Sequence, residues 1–246
     1  MLERFYKYAS LQVFYRCAAV LIPWLGGLTA VLLVVGLYGA LVLAPPDYQQ
    51  GESYRIIFVH VPSAWMSLFI YVVMAAAGAT GLIWHVKLAE VIASASAPIG
   101  ASFTFLALIT GSLWGKPMWG AYWVWDARLT SELILLFLYL GFMALEAAIP
   151  DRRGASRACA VLALVGVVNI PIVHFSVEWW HTLHQGATVT KLGAPSIATS
   201  MLVPLLVMAV AFKLYYLTTV LIRARALILE RESSSAWVRT LATEDA

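Results

Sequence analysis

Long apolar runs alternate with short polar breaks along almost the whole chain, at about 20–43, 56–84, 91–113, 128–149, 158–176 and 197–222. A membrane-crossing helix needs roughly 20 predominantly apolar residues. Each run approaches or exceeds that length, so the pattern predicts an all-α membrane protein with six transmembrane helices. A single domain is expected over residues 1–246. Residues 1–19 precede the first run and interleave Leu2, Phe5, Tyr6, Leu11, Phe14 and Tyr15 with Arg4, Lys7 and Arg16. That alternation suits a helix lying on the membrane surface. No small-residue cleavage site follows a short apolar core, so no cleaved signal peptide is expected. Within the second run, Ala75-Ala-Ala-Gly78-Ala-Thr-Gly81 places small residues where another helix can approach closely. Pro62 falls in the first turns of that span, where a missing N–H costs least. Pro98, Pro171 and Pro204 lie inside spans and predict kinks.

An even number of spans puts both termini on one side. That side carries Arg4, Lys7, Arg16, Lys87, Arg152, Arg153, Arg157, Arg223, Arg225, Arg231 and Arg239, against Arg55, Lys116, Arg128 and Lys191 on the other. The positive-inside rule then sets both termini in the cytoplasm and makes residues 223–246 a cytoplasmic tail. The segment between spans three and four, 114–127, faces outward, which for a bacterial inner-membrane protein means the periplasm. Composition agrees: 62% of residues are hydrophobic and 12% charged, with mean hydropathy +0.83, whereas soluble domains run near ~25% charged. The net charge of +3 records the loop asymmetry. No basic patch lies outside the membrane-flanking positions, so no nucleic-acid partner is expected. Cys17 and Cys159 both fall at cytoplasmic span ends, where a disulfide is not expected. There is no C-x-x-C and no C-x-x-C-H, so neither a thiol carrier nor a covalent c-type haem is encoded.

The chemistry concentrates on the outer side. Trp114, Trp119, Tyr122, Trp123 and Trp125 place five aromatic rings within thirteen residues. Such a cluster is either an interfacial aromatic belt or a shelf for a large planar ligand with an apolar body. Of five histidines, His85 flanks a cytoplasmic loop, while His60, His174, His181 and His184 lie at outer span ends or in outer loops. Imidazole is an axial ligand for haem iron. His60 and His184 come from separate segments and can flank one plate. His181 and His184 are three apart and share a face, an arrangement better suited to a small ion. Arg55 and Arg128 stand at outer span ends, as interface anchors or as partners for carboxylates such as haem propionates. Asp126 is placed to cap the fourth span, to hold Arg128, or both. No nucleophile–base spacing identifies a hydrolase, and no G-x-x-x-x-G-K-[ST] loop is present.

Trp119-Gly-Ala-Tyr-Trp123-Val-Trp125-Asp126 matches the W-G-x-x-W-x-W-D signature of haem-handling membrane proteins. With Trp114-Gly-Lys-Pro-Met upstream and Ala127-Arg-Leu-Thr130 downstream, the chain resembles the haem exporter protein C branch, which serves system I cytochrome c maturation. The resemblance covers nearly the whole chain, and the motif is highly specific. It implies a non-enzymatic, haem-presenting protein whose transported ligand is haem b. It maps the axial ligands onto His60 and His184. The Trp-rich segment is then expected to be the haem platform, Arg55 and Arg128 to hold the propionates, and Asp126 to serve presentation by fixing Arg128 and the start of its helix. The resemblance also implies three kinds of partner: a membrane-anchored periplasmic haem chaperone, a small single-span subunit and ATP-binding-cassette transporter subunits. Two other readings compete. A haem-b membrane cytochrome would carry its histidines deep inside spans. A small metal or metabolite permease built on His181 and His184 would need broken or polar helices near the midplane, for which Asn169 beside Pro171 is the only sequence hint.

Overall fold

The structure is a computed structural model and describes residues 10–186, 188–189, 191 and 193–244. The described residues form helices and no strand: α1 (Leu11–Tyr38), α2 (Ile57–Trp84), α3 (Lys87–Trp119), α4 (Ala127–Ala148), α5 (Arg152–Gly166), α6 (Asn169–Trp179), α7 (Thr199–Arg231) and α8 (Ala236–Glu244). A π-helical turn, Gly39–Leu43, extends α1, and a 3-10 turn, Glu52–Ile56, leads into α2. Six segments are long and apolar enough to cross a membrane: Leu11–Leu43, Glu52–Trp84, Lys87–Trp119, Ala127–Ala148, Arg152–Trp179 and Thr199–Arg231. These correspond to the six expected runs. The expected surface helix over 1–19 lies partly outside the described residues; from Leu11 onward the chain already belongs to α1.

Six passes bring residue 10 and the segment after Arg231 to one end, and the Trp-bearing loop to the other. At the terminal end the Arg225 guanidinium sits 4.3 Å from the Tyr15 ring centroid, and Tyr15 meets Trp237 of α8 at 5.6 Å. The core forms where α2 packs on α3, α5 and α7, and α3 packs on α4 and α7. Ile70, Tyr71 and Met74 of α2, Leu135 and Tyr139 of α4, and Leu205 and Met208 of α7 are fully buried there. Small residues permit these approaches, as expected. A Cβ on Gly78 would lie 3.3 Å from the Ala160 backbone, and one on Gly100 would overlap the Tyr139 ring. α1 packs mainly along α7 and leaves Val20, Trp24, Val31 and Val34 exposed.

Two departures from the sequence reading shape the site. First, α3 does not end before Trp114. It runs through Pro117 to Trp119 and stops at Gly120, whose φ of 76° is a left-handed conformation natural to glycine and whose N–H bonds the Lys116 carbonyl at 3.1 Å. Trp114 and Trp119 are therefore helical, and the true loop is short, residues 120–126. Second, the kink expected at Pro171 in the fifth span is a full break placed earlier, at Val167 and Val168. Asn169 offsets the break by donating its Nδ2–H to the Ser131 carbonyl of α4 at 2.9 Å. Pro171 thus falls in the first turn of α6, where it forfeits no helical hydrogen bond.

Candidate functional site at the Trp-bearing end

His60 enters from the first turns of α2 and lies against α3. Its Nδ1 is 3.0 Å from the Thr110 hydroxyl. That hydroxyl already donates its proton to the Leu106 carbonyl at 2.6 Å, so it must accept from the imidazole. Nδ1 therefore carries the hydrogen and Nε2 keeps its lone pair. Gly111 makes room for the ring: a Cβ there would stand 3.0 Å from His60 Cε1. Trp114 meets the His60 ring edge-on at 5.6 Å and is itself held by Tyr54 at 5.8 Å and by its indole N–H to Gln50 Oε1 at 2.9 Å.

His184 comes from the loop after α6. Its Nδ1 lies 2.9 Å from Asp126 Oδ2, and the other oxygen, Oδ1, accepts the Leu129 N–H at 2.8 Å. One carboxylate thus caps α4 and orients the histidine, and again Nε2 is the nitrogen left to act. Burial pushes the His184 pKa below its ordinary 6.5, while the Asp126 charge opposes the shift. Trp119 meets the His184 ring at 4.7 Å. Its indole is admitted by Gly115, where a Cβ would lie 2.9 Å from the ring. Both imidazoles are therefore fixed in the same manner, with Nδ1–H given to an immovable acceptor and Nε2 presented. They stand close enough for their charges to interact.

The remaining expected site residues divide. Trp123 and Trp125 pack edge-to-face at 5.3 Å, and the Trp123 indole nitrogen is buried without a hydrogen-bond partner. Trp125 is 77% exposed and Tyr122 is also exposed, with Lys116 5.3 Å from the Tyr122 ring. These rings form an open apolar shelf rather than a closed pocket. Arg128, on the first turn of α4, donates to the Val173 carbonyl of α6 at 3.3 Å, and its charge reaches His60. Asp126 does not make an ion pair with Arg128, because its two oxygens are taken by Leu129 and His184. The larger carboxylate influence on Arg128 comes from Glu132, a residue the sequence reading did not single out. An acidic residue inside an apolar span was the available signal. Arg55 bonds the Ala40 carbonyl at 2.7 Å and pairs with Glu52, which ties it to the end of the first span. His174 contacts Phe175 and, like His181, is exposed. Among the described residues no cluster of three or more His, Cys, Asp or Glu could hold a metal ion.

The fold and this end together define a class: a multi-pass membrane protein that sets two oriented imidazoles beside an exposed aromatic shelf. Comparison with known proteins makes this specific. A family model described as Heme exporter protein C matches residues 4–239. The chain is similar to Heme exporter protein C of Bradyrhizobium diazoefficiens, 55% identical over 90% of this chain and 84% of that protein. It is 51% identical to that of Haemophilus influenzae over 96% of both chains, and 53% identical to that of Escherichia coli K12 over 92% and 91%. The chain belongs to the Heme exporter protein C family, and its six crossing helices are consistent with a place in the bacterial inner membrane.

Proposed function

We propose that this protein binds haem b at the Trp-bearing face and delivers it for c-type cytochrome biogenesis, catalysing no reaction itself. His60 and His184 ligate the iron through Nε2, and Trp114, Trp119, Tyr122, Trp123 and Trp125 support the macrocycle. Arg128 receives a propionate, and Arg55 stands at the same end as a second candidate for one. Lys and Arg distribution supports a cytoplasmic location for both termini, so the haem face is periplasmic. A membrane-anchored chaperone takes the haem from that open shelf. The small single-span and ATP-binding-cassette subunits are the other expected companions.

The carrying observation is the shared preparation of the two imidazoles. A metal-binding histidine needs its second ring nitrogen held by a fixed acceptor, which sets both tautomer and orientation. His60 has Thr110 and His184 has Asp126. A cytochrome reading fits less well, because this site opens onto an exposed shelf instead of being closed among spans. A permease reading also loses ground: the break in the fifth span is filled by Asn169 bonding Ser131.

The test is the absorption spectrum of the purified protein after His60→Ala and His184→Ala. Each change should abolish the low-spin bis-imidazole spectrum and weaken haem retention beyond the ~100-fold typical of an outer-shell change. A normal spectrum in either variant removes that residue as a ligand.

A further inference from the structure

The same end contains a carboxylate that the haem site as described does not use. Glu132 stands on α4 one helical turn below Arg128, and the i, i+4 spacing places the two side chains on one face. It is only 7% exposed. Its one hydrogen-bond partner is Ser67 of α2, whose hydroxyl lies 2.7 Å from Glu132 Oε1. That hydroxyl has a single proton and a second acceptor, the Ala64 carbonyl, at 2.8 Å. Glu132 therefore has at most a share of one hydrogen bond. The Tyr139 hydroxyl donates to the Ser67 carbonyl at 2.7 Å, which holds the α2 backbone at this point against α4. A buried carboxyl this poorly satisfied either takes up a proton or leans on a cation. Among the described residues Arg128 is the cation acting on it, and Glu132 acts on Arg128 more strongly than Asp126 does. Glu132 and Arg128 are not in ion-pair contact, because the Arg128 guanidinium is drawn toward the Val173 carbonyl.

We propose that Glu132 is a positioning residue for haem delivery: it is the internal countercharge of Arg128 and competes with a haem propionate for the same guanidinium. This rests on the functional reading above. Without haem, the Arg128 guanidinium rests on the Val173 carbonyl, with Glu132 on the same helix face as its through-space countercharge. An arriving propionate must pull the guanidinium outward, away from a carboxylate left with half a hydrogen bond. The competition weakens haem binding on purpose, as a protein that hands its cargo on requires, and the restoring pull of Glu132 favours release once a partner engages the porphyrin. A residue serving only to pack α2 against α4 would have no such effect on the ligand's charged edge.

The experiment compares two probes on the purified full-length protein: haem, and iron protoporphyrin IX dimethyl ester, which lacks the propionate charges. Each is titrated by absorbance into wild type, Glu132→Gln, Arg128→Gln and the double variant. Glutamine keeps the size and the Ser67 contact while removing the charge. Glu132→Gln is expected to tighten haem binding about fivefold or more, the low end of coupling between linked sites, and to leave ester binding unchanged. In the Arg128→Gln background the same change should have no effect on the haem-to-ester ratio. Ser67→Ala provides the second route should Glu132→Gln not fold. It keeps the carboxyl but takes away the hydroxyl that favours its charged form, so the countercharge weakens and the haem-to-ester ratio should rise, as in Glu132→Gln. Unchanged or weakened haem binding in Glu132→Gln, an equal effect on both probes, or an effect that persists without Arg128 overturns the inference. Ser67→Ala with an unaltered or lowered ratio does the same. Loss of the imidazole spectrum is read separately: a wild-type spectrum independent of His60 and His184 would defeat the functional reading, whereas a normal spectrum with an unresponsive ratio defeats only the role of Glu132.

Discussion

The two ends of the bundle use charge in opposite ways. At the terminal end, cations meet carboxylates directly. Arg231 pairs with Glu146 at 3.1 Å and bonds Ser94 at 2.8 Å, Lys87 pairs with Glu232 at 3.2 Å, and Arg152 reaches Glu230 at 3.9 Å. These contacts tie α3, α4, α5 and α7 together around a cavity of about 360 Å³. At the Trp-bearing end Arg55 also pairs directly, with Glu52, but His60, His184 and Arg128 are held by single fixed partners and left with a free function. His60 and His184 each give away one nitrogen and keep the other, and Arg128 is bound to a carbonyl and coupled through space to Glu132. Satisfied charge fixes helix ends in register. Held but unspent charge is what a ligand site needs. The same side-chain types thus do different work, and the difference lies in whether their partners leave an atom over.

The sharpest way to test this contrast is to remove one holding partner at the Trp-bearing end. Asp126→Asn keeps the shape but removes the charge that fixes the His184 tautomer. Outer-shell losses of this kind typically cost about 10–100-fold in metal affinity, and haem retention at pH 7 should fall within that range. The pH response has a definite sign. The Asp126 carboxylate favours the protonated imidazole, so removing its charge makes the unligated ring harder to protonate. Burial already lowers the His184 pKa from 6.5, and the Asp126 charge holds it up. Without the charge it falls further, so in the haem-free protein the His184 imidazole should titrate at a lower pH in the variant than in wild type, as read by NMR. A shift to higher pH would mean that Asp126 does not act on His184 in the way the 2.9 Å contact indicates.

How much of this was legible in the sequence depended on whether a feature was local. The six spans followed from apolar run length alone, and sorting histidines by loop side set His60, His174, His181 and His184 apart from His85, while the choice of His60 and His184 among them came with the family resemblance. The Asp126 cap was visible because a helix-starting Asp has a local signature, and its bond to Leu129 is there. Its second partner, His184, lies 58 positions away and has no local trace. Thr110 and Gly111 were missed for the same reason. A Thr in an apolar helix ordinarily bonds back to its own backbone, which Thr110 also does, and only the pairing of α2 with α3 turns its other lone pair toward His60. Pro171 announced a kink in the fifth span, but the break falls ahead of it at Val167 and Val168 and persists because Asn169 finds Ser131 on a neighbouring helix. Lys116 and Pro117 read as loop, yet the helix continues to Gly120, the position able to take the left-handed stop.

A smaller effect is expected at Gly111, and its interest lies in two measurements moving apart. In an exposed helix interior Gly costs roughly 0.5–1 kcal/mol relative to Ala. Gly111→Ala should thus leave the helix no less stable, yet its Cβ would lie 3.0 Å from His60 Cε1 and force the ring aside. Haem affinity should drop several-fold, less than the ~10–100-fold of an outer-shell loss, while the apoprotein melts no earlier. If haem binding were unaffected, the seat of His60 between α2 and α3 would not be what sets its ligating geometry.

The least effect is expected at the opposite end, and this control decides whether the two ends are separate devices. Arg231→Gln breaks the pair with Glu146 and weakens the bond to Ser94. Arg231 and Glu146 are partly exposed, with side-chain relative exposures of 18% and 33%, so solvent screens them and the expected loss is no more than about 1 kcal/mol. The melting temperature of the apoprotein should fall slightly, and more at low salt than at high salt, because screening already weakens the pair. The haem spectrum, the haem affinity and the haem-to-ester ratio should all stay at wild-type values. The full span of the bundle separates Arg231 from His60 and Arg128, and no chain of charged contacts joins them among the described residues. A changed ratio in Arg231→Gln would show that the terminal network biases the Arg128–Glu132 pair through the packed helices. The contrast between the ends would then be one between two halves of a coupled system.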